Sequence, residues 1–427
     1  MFRSLFTVGI ITTMMVRAAC AEPTYYNGTI ENRGDELPFR LTIDPDDAAA
    51  TTLDIPQLWY AEVPIEAVQR DGYGIVANFP FGLGTLEFVQ SGSHWITDGD
   101  PFHALLQEAS APPYTKIDMT FSAQGPDLEG TLYLPDGQGP FPAVIIVGGS
   151  AASQRGSWSY RSRADYYARM GVAAFVYDRR SFDGQFVSGV SPDFWSDAAD
   201  IDAARDVLVL RDDISEVGLH GSSQGVWLST IAQADHGDFA FLVMTGVPAV
   251  TPGDQATHSL IYGMRDDGLD ENLIADAVAY QRLYFSVAHN LTGWDALVDA
   301  MAAAEGQDWY QYVDQPRTIE DLHWWNRHLA YEPRDFLIQT RIPILAMTGA
   351  GDWIAPPVEN LPKLELYAAI AGNENMVTLT LPNADHRLER GFETDEEGQW
   401  HWFEIAVEAR AAIPDFLENQ VGLELGR

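Results

Sequence analysis

The pentapeptide Gly221-Ser222-Ser223-Gln224-Gly225 constrains this chain more than any other stretch. An apolar run, Val217-Gly218-Leu219-His220, precedes it and reads as a short buried strand. Behind it, Val226 to Ala234 is apolar and of helical length. A serine flanked by glycines between a strand and a helix makes a turn so tight that side chains at its ends would clash. The turn lifts the Ser223 hydroxyl above the sheet. It leaves the Gln224 N–H in the first turn of the helix, unpaired and close to where negative charge would develop.

The surrounding chain keeps the rhythm that such a turn needs. Ile117 to Ser122 and Leu128 to Leu134 read as an opening hairpin. Pro142 to Val147 is a continuous apolar run, the mark of a strand buried on both faces. Helical and strand patterns then alternate: helix at Tyr160 to Met170, strand at Val172 to Tyr177, helix at Asp197 to Leu210. Further strands are expected at Phe239 to Met244, Ile344 to Met347 and Val377 to Leu381. The order predicts an α/β fold, a mostly parallel central sheet with helices on both faces.

Two segments depart from that rhythm. Residues 22–110 read as a small all-β domain, an open sheet or partial barrel. Phe39 to Asp44 alternates strictly, and turn signals recur at Asn27-Gly28, Asp71-Gly72 and 91–93. Ala111-Pro112-Pro113 forms the linker. Residues 251–341 show only helical patterns and carry Trp294, Trp309, Tyr310, Tyr312, Trp324, Trp325 and Tyr331. They split the α/β core into 115–250 and 342–427 and would sit over Ser223 as a helical cap. Their aromatics either line an acyl or aryl pocket or form the cap's own core.

Residues 1–21 read as a signal peptide. Arg3 supplies the positive end, Leu5 to Val16 is apolar but too short to span a bilayer, and Ala19-Cys20-Ala21 fits the cleavage rule. A secreted or periplasmic protein beginning at Glu22 is expected. The competing reading is lipid attachment at Cys20, although Arg17 stands where that signal has an aliphatic residue. Cys20 is the chain's only cysteine, so cleavage after Ala21 removes every thiol and excludes disulfides and thiolate chemistry. No later stretch reads as transmembrane. A net charge of −37 argues against nucleic acid and anionic membranes. It fits either a saline medium or an ordinary acidic surface.

A serine hydroxyl is a poor nucleophile unless a base takes its proton and a carboxylate orients that base. Two loops at strand ends supply candidates. Ile344 to Met347 leads into Thr348-Gly349-Ala350-Gly351-Asp352, and Val377 to Leu381 into Pro382-Asn383-Ala384-Asp385-His386. Asp352 is the expected acid and His386 the expected base, with Asp385 and His401 as rivals. The loop Gly148-Gly149-Ser150-Ala151-Ala152 offers a second oxyanion donor, the Ser150 N–H, beside that of Gln224. The other histidines lack ligand-like spacing, and no Gly-Lys-Ser/Thr follows the glycine pair. No metal and no cofactor is expected.

With these residues in place, the chain over about 115–420 resembles the α/β-hydrolase superfamily, in particular bacterial secreted or periplasmic esterases with a small N-terminal β domain. Gly148-Gly149-Ser150 occupies the place of a His-Gly-Ser oxyanion loop, and Val176-Tyr177-Asp178-Arg179-Arg180 looks like a Tyr-Asp-Lys/Arg-Arg-Gly segment. Leu219 to Gly225 matches the nucleophile elbow; Gly351-Asp352 and Asp385-His386 match the acid and base loops. Three departures stand out. Gly148 replaces the usual histidine, Ser181-Phe182-Asp183-Gly184 replaces a more glycine-rich stretch, and Val226 follows Gly225 where a second glycine is common. The resemblance implies hydrolysis of small-molecule carboxylic esters through an acyl-enzyme. Two alternatives remain: a serine peptidase of the prolyl-oligopeptidase type, or a binding protein on the same fold. The first usually carries a propeller, which the roughly 90 N-terminal residues cannot build at about 40 per blade.

Overall fold

The computed structural model describes residues 22–426 except 33, 48–49, 71–73, 81–82, 98–101, 124–126, 151–154, 181–192 and 392–401. The leader with Cys20, the Asp71-Gly72 turn, Ala151 and Ala152, residues 181–184 and His401 therefore lie outside the described residues.

The first nine strands form one antiparallel sheet. They are β1 (Thr24–Asn32), β2 (Asp35–Ile43), β3 (Thr52–Ile55), β4 (Tyr60–Pro64), β5 (Ala67–Arg70), β6 (Gly74–Phe79), β7 (Gly84–Ser91), β8 (His94–Ile96) and β9 (His103–Ala109). Their order is β4-β3-β2-β1-β9-β8-β7-β6-β5, with no ladder between β4 and β5; only Ile65 and Glu66 join those two end strands, so the sheet curls into a partial barrel. Inward residues of the β2 alternation, Leu37, Phe39, Leu41 and Ile43, build a core with Tyr26, Ile75, Phe88 and Trp95.

The second sheet has eight strands: β10 (Tyr114–Ser122), β11 (Asp127–Pro135), β12 (Phe141–Val147), β13 (Ala173–Tyr177), β14 (Ile214–Ser222), β15 (Leu242–Thr245), β16 (Ile344–Gly349) and β17 (Met376–Leu381). Their order is β10-β11-β13-β12-β14-β15-β16-β17. The first three strands pair antiparallel, and from β13 to β17 every pairing is parallel. This is an α/β architecture with a mostly parallel sheet, preceded by an antiparallel β sheet. The apolar runs are buried on both faces. Ala143, Ile145 and Val147 join a core with helices α2 (Phe194–Val209) and α3 (Gln224–His236). Val144 and Ile146 join another with α1 (Trp158–Arg169) and the last helix, α10 (Val407–Phe416). Register aligns the carboxyl ends: Val147 lies beside Gly221, Ser222 beside Thr245, Thr245 beside Met347, and Gly349 beside Leu381. The loops after β12, β14, β15, β16 and β17 thus open on one edge.

Between β15 and β16 come α4 (Pro252–Asp266), α5 (Glu271–Asn290), α6 (Trp294–Ala304), α7 (His323–His328) and α8 (Pro333–Leu337); α9 (Pro357–Ala371) joins β16 to β17. The aromatics of this insertion serve packing. Trp309 is buried in the insertion's own core, where Trp294, Tyr310, Tyr312 and Trp325 pack against it. Tyr331 belongs to the core beneath the central sheet, and Trp324 packs against that core. His328 is buried against Phe194 and Trp324, with ring centroids 4.1 and 4.3 Å away, and burial lowers its pKa to about 4.

The two sheets are locked together by charge. Arg40 of β2 reaches Asp165 of α1 at 2.8 Å. Glu62 of β4 accepts from Lys116 at 2.9 Å and Tyr133 at 3.1 Å, and pairs with Arg161 at 3.2 Å. A single turn of 3-10 helix, Pro56–Leu58, sends Trp59 across this boundary. Trp59 is 2% exposed and belongs to a core of the second sheet that also holds Val144 and Tyr167.

Candidate active site

Ser223 sits between β14 and α3 at φ 52° and ψ −123°, a backbone region that non-glycine residues rarely occupy. Neighbouring chain holds it there. The Ser223 N–H donates to Thr245 O at 2.9 Å, and Gly225 lets the helix start against β12. A Cβ on Gly225 would lie 2.2 Å from Val147 O, closer than atoms can approach.

The loops after β16 and β17 bring the other two groups to this serine. His386 Nε2 is 3.0 Å from Ser223 Oγ. His386 Nδ1 is 2.8 Å from Asp352 Oδ2, so Nδ1 carries the proton and donates it to the carboxylate. Asp352 is 2% exposed, and its Oδ1 accepts from the Ala355 N–H at 2.7 Å. Asp385 turns away: its Oδ1 accepts from the N–H groups of Arg387 and Glu389 and closes its own loop. Gly246, after β15, adopts φ +58°, and a Cβ there would lie 2.8 Å from His386 Cε1. The imidazole therefore packs on bare backbone.

The loop after β12 lies against the serine. A Cβ on Gly149 would be 3.3 Å from Ser223 Cβ. With Gly148 in place of a histidine, support comes from two other residues. The Gly149 N–H donates to Tyr160 OH at 3.0 Å, and Arg179 Nη1 donates to Gly149 O at 3.0 Å. Arg179 is buried, pairs with Asp197, and its Nη2 also donates to Gln224 Oε1 at 3.0 Å. One guanidinium thus ties both proposed oxyanion segments, Gly149-Ser150 and Gln224, to α2. Burial pushes the Asp197 pKa up, and Arg179 counters it. The sequence marked Arg179 only as part of a family segment; nothing local shows its reach across 30 and 45 residues.

Ser223 and His386 line a cleft of about 380 Å³ together with Gly149, Ser150 and Tyr160. One wall is unexpected, because Leu58, Trp59 and Tyr60 of the N-terminal sheet form part of it. Among the described residues, none of the seven aromatics singled out between 294 and 331 lines this cleft. Half of the apolar lining comes from the other end of the chain, with Tyr160, Ile354 and Ile405 supplying the rest. Arg163 and Glu389 also line it. Burial pushes the Glu389 pKa up, opposed by Arg387. A larger cavity, about 510 Å³, lies in the helical insertion and contains none of Ser223, His386 or Asp352. Among the described residues, no group of three or more His, Cys, Asp or Glu side chains is placed to hold a metal. No helix among them is long and apolar enough to cross a membrane.

A family model described as esterase FrsA-like matches residues 103–186. The match spans the loop after β12, α1 and Arg179 but stops before Ser223, Asp352 and His386. No curated protein sequence matches the chain. Among solved structures it is similar to a 2,6-dihydroxy-pseudo-oxynicotine hydrolase, with 17% identity and a TM-score of 0.42, covering 64% of this chain and 62% of that one. The chain thus spans less than two thirds of that hydrolase. A thermostable carboxyl esterase from Bacillus coagulans gives 15% identity and a TM-score of 0.47, covering 72% and 99%. Est1E from Butyrivibrio proteoclasticus gives 14% identity and a TM-score of 0.44, covering 72% and 99%.

Proposed function

We propose that this chain is a serine hydrolase that cleaves carboxylic esters through an acyl-enzyme intermediate. The observation that carries the reading is the hydrogen-bonded series Ser223 Oγ, His386 Nε2, His386 Nδ1, Asp352 Oδ2, with a strained serine at its head. Ser223 Oγ attacks the ester carbonyl while its proton passes to Nε2. Asp352 holds the Nδ1–H tautomer and stabilises the imidazolium. The N–H groups of Gln224 and Ser150 receive the oxyanion. Nε2 then protonates the leaving alcohol, and water releases the acid by the same route in reverse.

The helices of 252–337 act as a cap that braces the acid loop. Gln255 Nε2 donates to Ile354 O, and the Trp353 ring lies against Gly263. The leader at 1–21 directs export and is removed, so Glu22 becomes the N-terminus of a secreted or periplasmic enzyme. Sequencing the N-terminus of the exported protein tests this; an intact leader or a lipid on Cys20 contradicts it.

Ser223→Ala is expected to lower p-nitrophenyl butyrate turnover by at least about 10⁴-fold with an unchanged melting temperature. Retained turnover would remove Ser223 from the mechanism. A fluorophosphonate probe separates the enzyme from a binding protein on the same fold, since only an activated Ser223 is labelled.

A further inference from the structure

Arg163 lies on α1 and lines the same cleft as Ser223, yet it is only 6% exposed. Its guanidinium stacks on Trp59, 4.3 Å from the ring centroid, and Tyr160 lies 5.7 Å away. Nη1 donates to Ser159 O and Ser159 Oγ, so its protein bonds stay within its own helix. Nε is buried with no partner. Among the described residues, no carboxylate forms an ion pair with Arg163. By contrast, buried Arg179 has Asp197, and Arg180 has Asp200.

A desolvated cation without an ion-pair partner is costly, and the fold keeps one here. Burial lowers the Arg163 pKa, but a guanidinium stays charged in proteins. None of the groups around it is bonded to it as a counter-ion. His220, beneath Trp59, is held neutral by burial. Tyr167 spends its hydroxyl on His220 Nδ1 at 3.1 Å. Glu389 faces the cleft and attracts Arg163 through space without forming an ion pair with it, and it stands 4.0 Å from Arg387, with which it is shared. Among the described residues, the lining therefore holds Arg163 and Arg387 against the single carboxylate of Glu389. The whole chain carries −37, so this local excess of positive charge runs against the molecule's balance.

Resting on the hydrolase reading above, we infer that the substrate is anionic and that Arg163 binds a carboxylate it carries beside the scissile ester. The cleft of about 380 Å³ limits that substrate to a small molecule, such as the half-ester of a short dicarboxylic acid or the ester of a small phenolic acid. Arg163 is then a specificity residue. Trp59, from the N-terminal sheet, fixes the guanidinium plane.

Two pairs matched in acyl chain or aryl ring, each differing in one carboxylate, test this and locate the charge. On the acyl side, p-nitrophenyl hemiglutarate is compared with p-nitrophenyl valerate. On the alcohol side, 4-acetoxybenzoate is compared with its methyl ester. In at least one pair the wild type should favour the charged member in kcat/KM. In Arg163→Met that ratio should fall by at least about 30-fold, with an intermediate ratio in Arg163→Lys, as expected for loss of a charge-assisted bond. A wild-type preference for the neutral member in both pairs overturns the inference, as does an unchanged ratio in both variants. If Arg163→Met does not fold, the wild type and Arg163→Lys decide. Fluorophosphonate labelling keeps the two readings apart, because it reports Ser223 whatever the acyl charge. If no ester is turned over and no label appears, the hydrolase reading falls and binding alone judges Arg163. Glutarate must then raise the wild-type melting temperature more than neutral glutaramide does; equal shifts overturn the inference.

Discussion

Asp352 makes two bonds that an amide could satisfy only in part. Its Oδ2 takes the His386 Nδ1 proton and its Oδ1 the Ala355 N–H. Asparagine has one acceptor and one donor. If the acceptor keeps Ala355, the NH₂ faces Nδ1, the imidazole proton moves to Nε2, and Ser223 loses its base. Asp352→Asn is expected to lower kcat by about 10⁴-fold, read from p-nitrophenyl butyrate kinetics. Arg179 is a different case, since it touches no reacting atom. Arg179→Met leaves Asp197 buried without its cation and frees Gly149 O and Gln224 Oε1. A loss of roughly 3–5 kcal/mol in urea unfolding is expected. Ser223, Asp352 and His386 were readable because each follows a strand-like run on a loop with a distinctive neighbour. Arg179 and Arg163 were not, because a guanidinium in a helix or loop looks the same on paper whether it meets solvent, a carboxylate or an indole.

The elements divide in the same way. Strands buried on both faces announced themselves as continuous apolar runs, so β12, β13 and β16 fall close to their expected positions; β17, an edge strand, does so through its Val-Thr-Leu-Thr-Leu alternation. β15 starts at Leu242 rather than Phe239, because Phe239 to Phe241 are apolar for core packing and precede the ladder. In the N-terminal sheet only β2 gave a clean alternation. β3 and β8 have four and three residues, too few for a period to register. The turn after β15 carries a constraint invisible in sequence, since Gly246 reads as an ordinary loop glycine. A methyl there would collide with the imidazole of His386 and strain φ. Gly246→Ala is expected to cut kcat by at least about 10²-fold through displacement of the base. A crystal structure of the variant checks this, with the Nε2 to Oγ distance lengthened beyond 3.0 Å.

At the scale of the whole molecule, the sheet-to-sheet boundary is a titrating structure. Asp54 of β3 accepts from the Glu62 N–H at 2.7 Å, and its pKa is raised to about 6. Burial is the main cause, with Asp165 and Glu62 adding to it. The folded state thus holds this proton more tightly than the unfolded chain does. The linked stability is fully present below the ordinary carboxyl pKa of about 4 and is lost as pH rises through about 6. Asp54→Asn should therefore raise the melting temperature relative to wild type more at pH 7.5 than at pH 4.5; equal differences at the two pH values contradict it. The β region was legible from its turns and its lack of helical period, but its contribution to the cleft was not. Trp59 meets Arg163 across about a hundred residues, and no local pattern encodes such a meeting. Because that indole is supplied from outside the fold that holds the serine, grafting this α/β half onto a foreign β module would leave the nucleophile standing and take away part of what chooses its substrate.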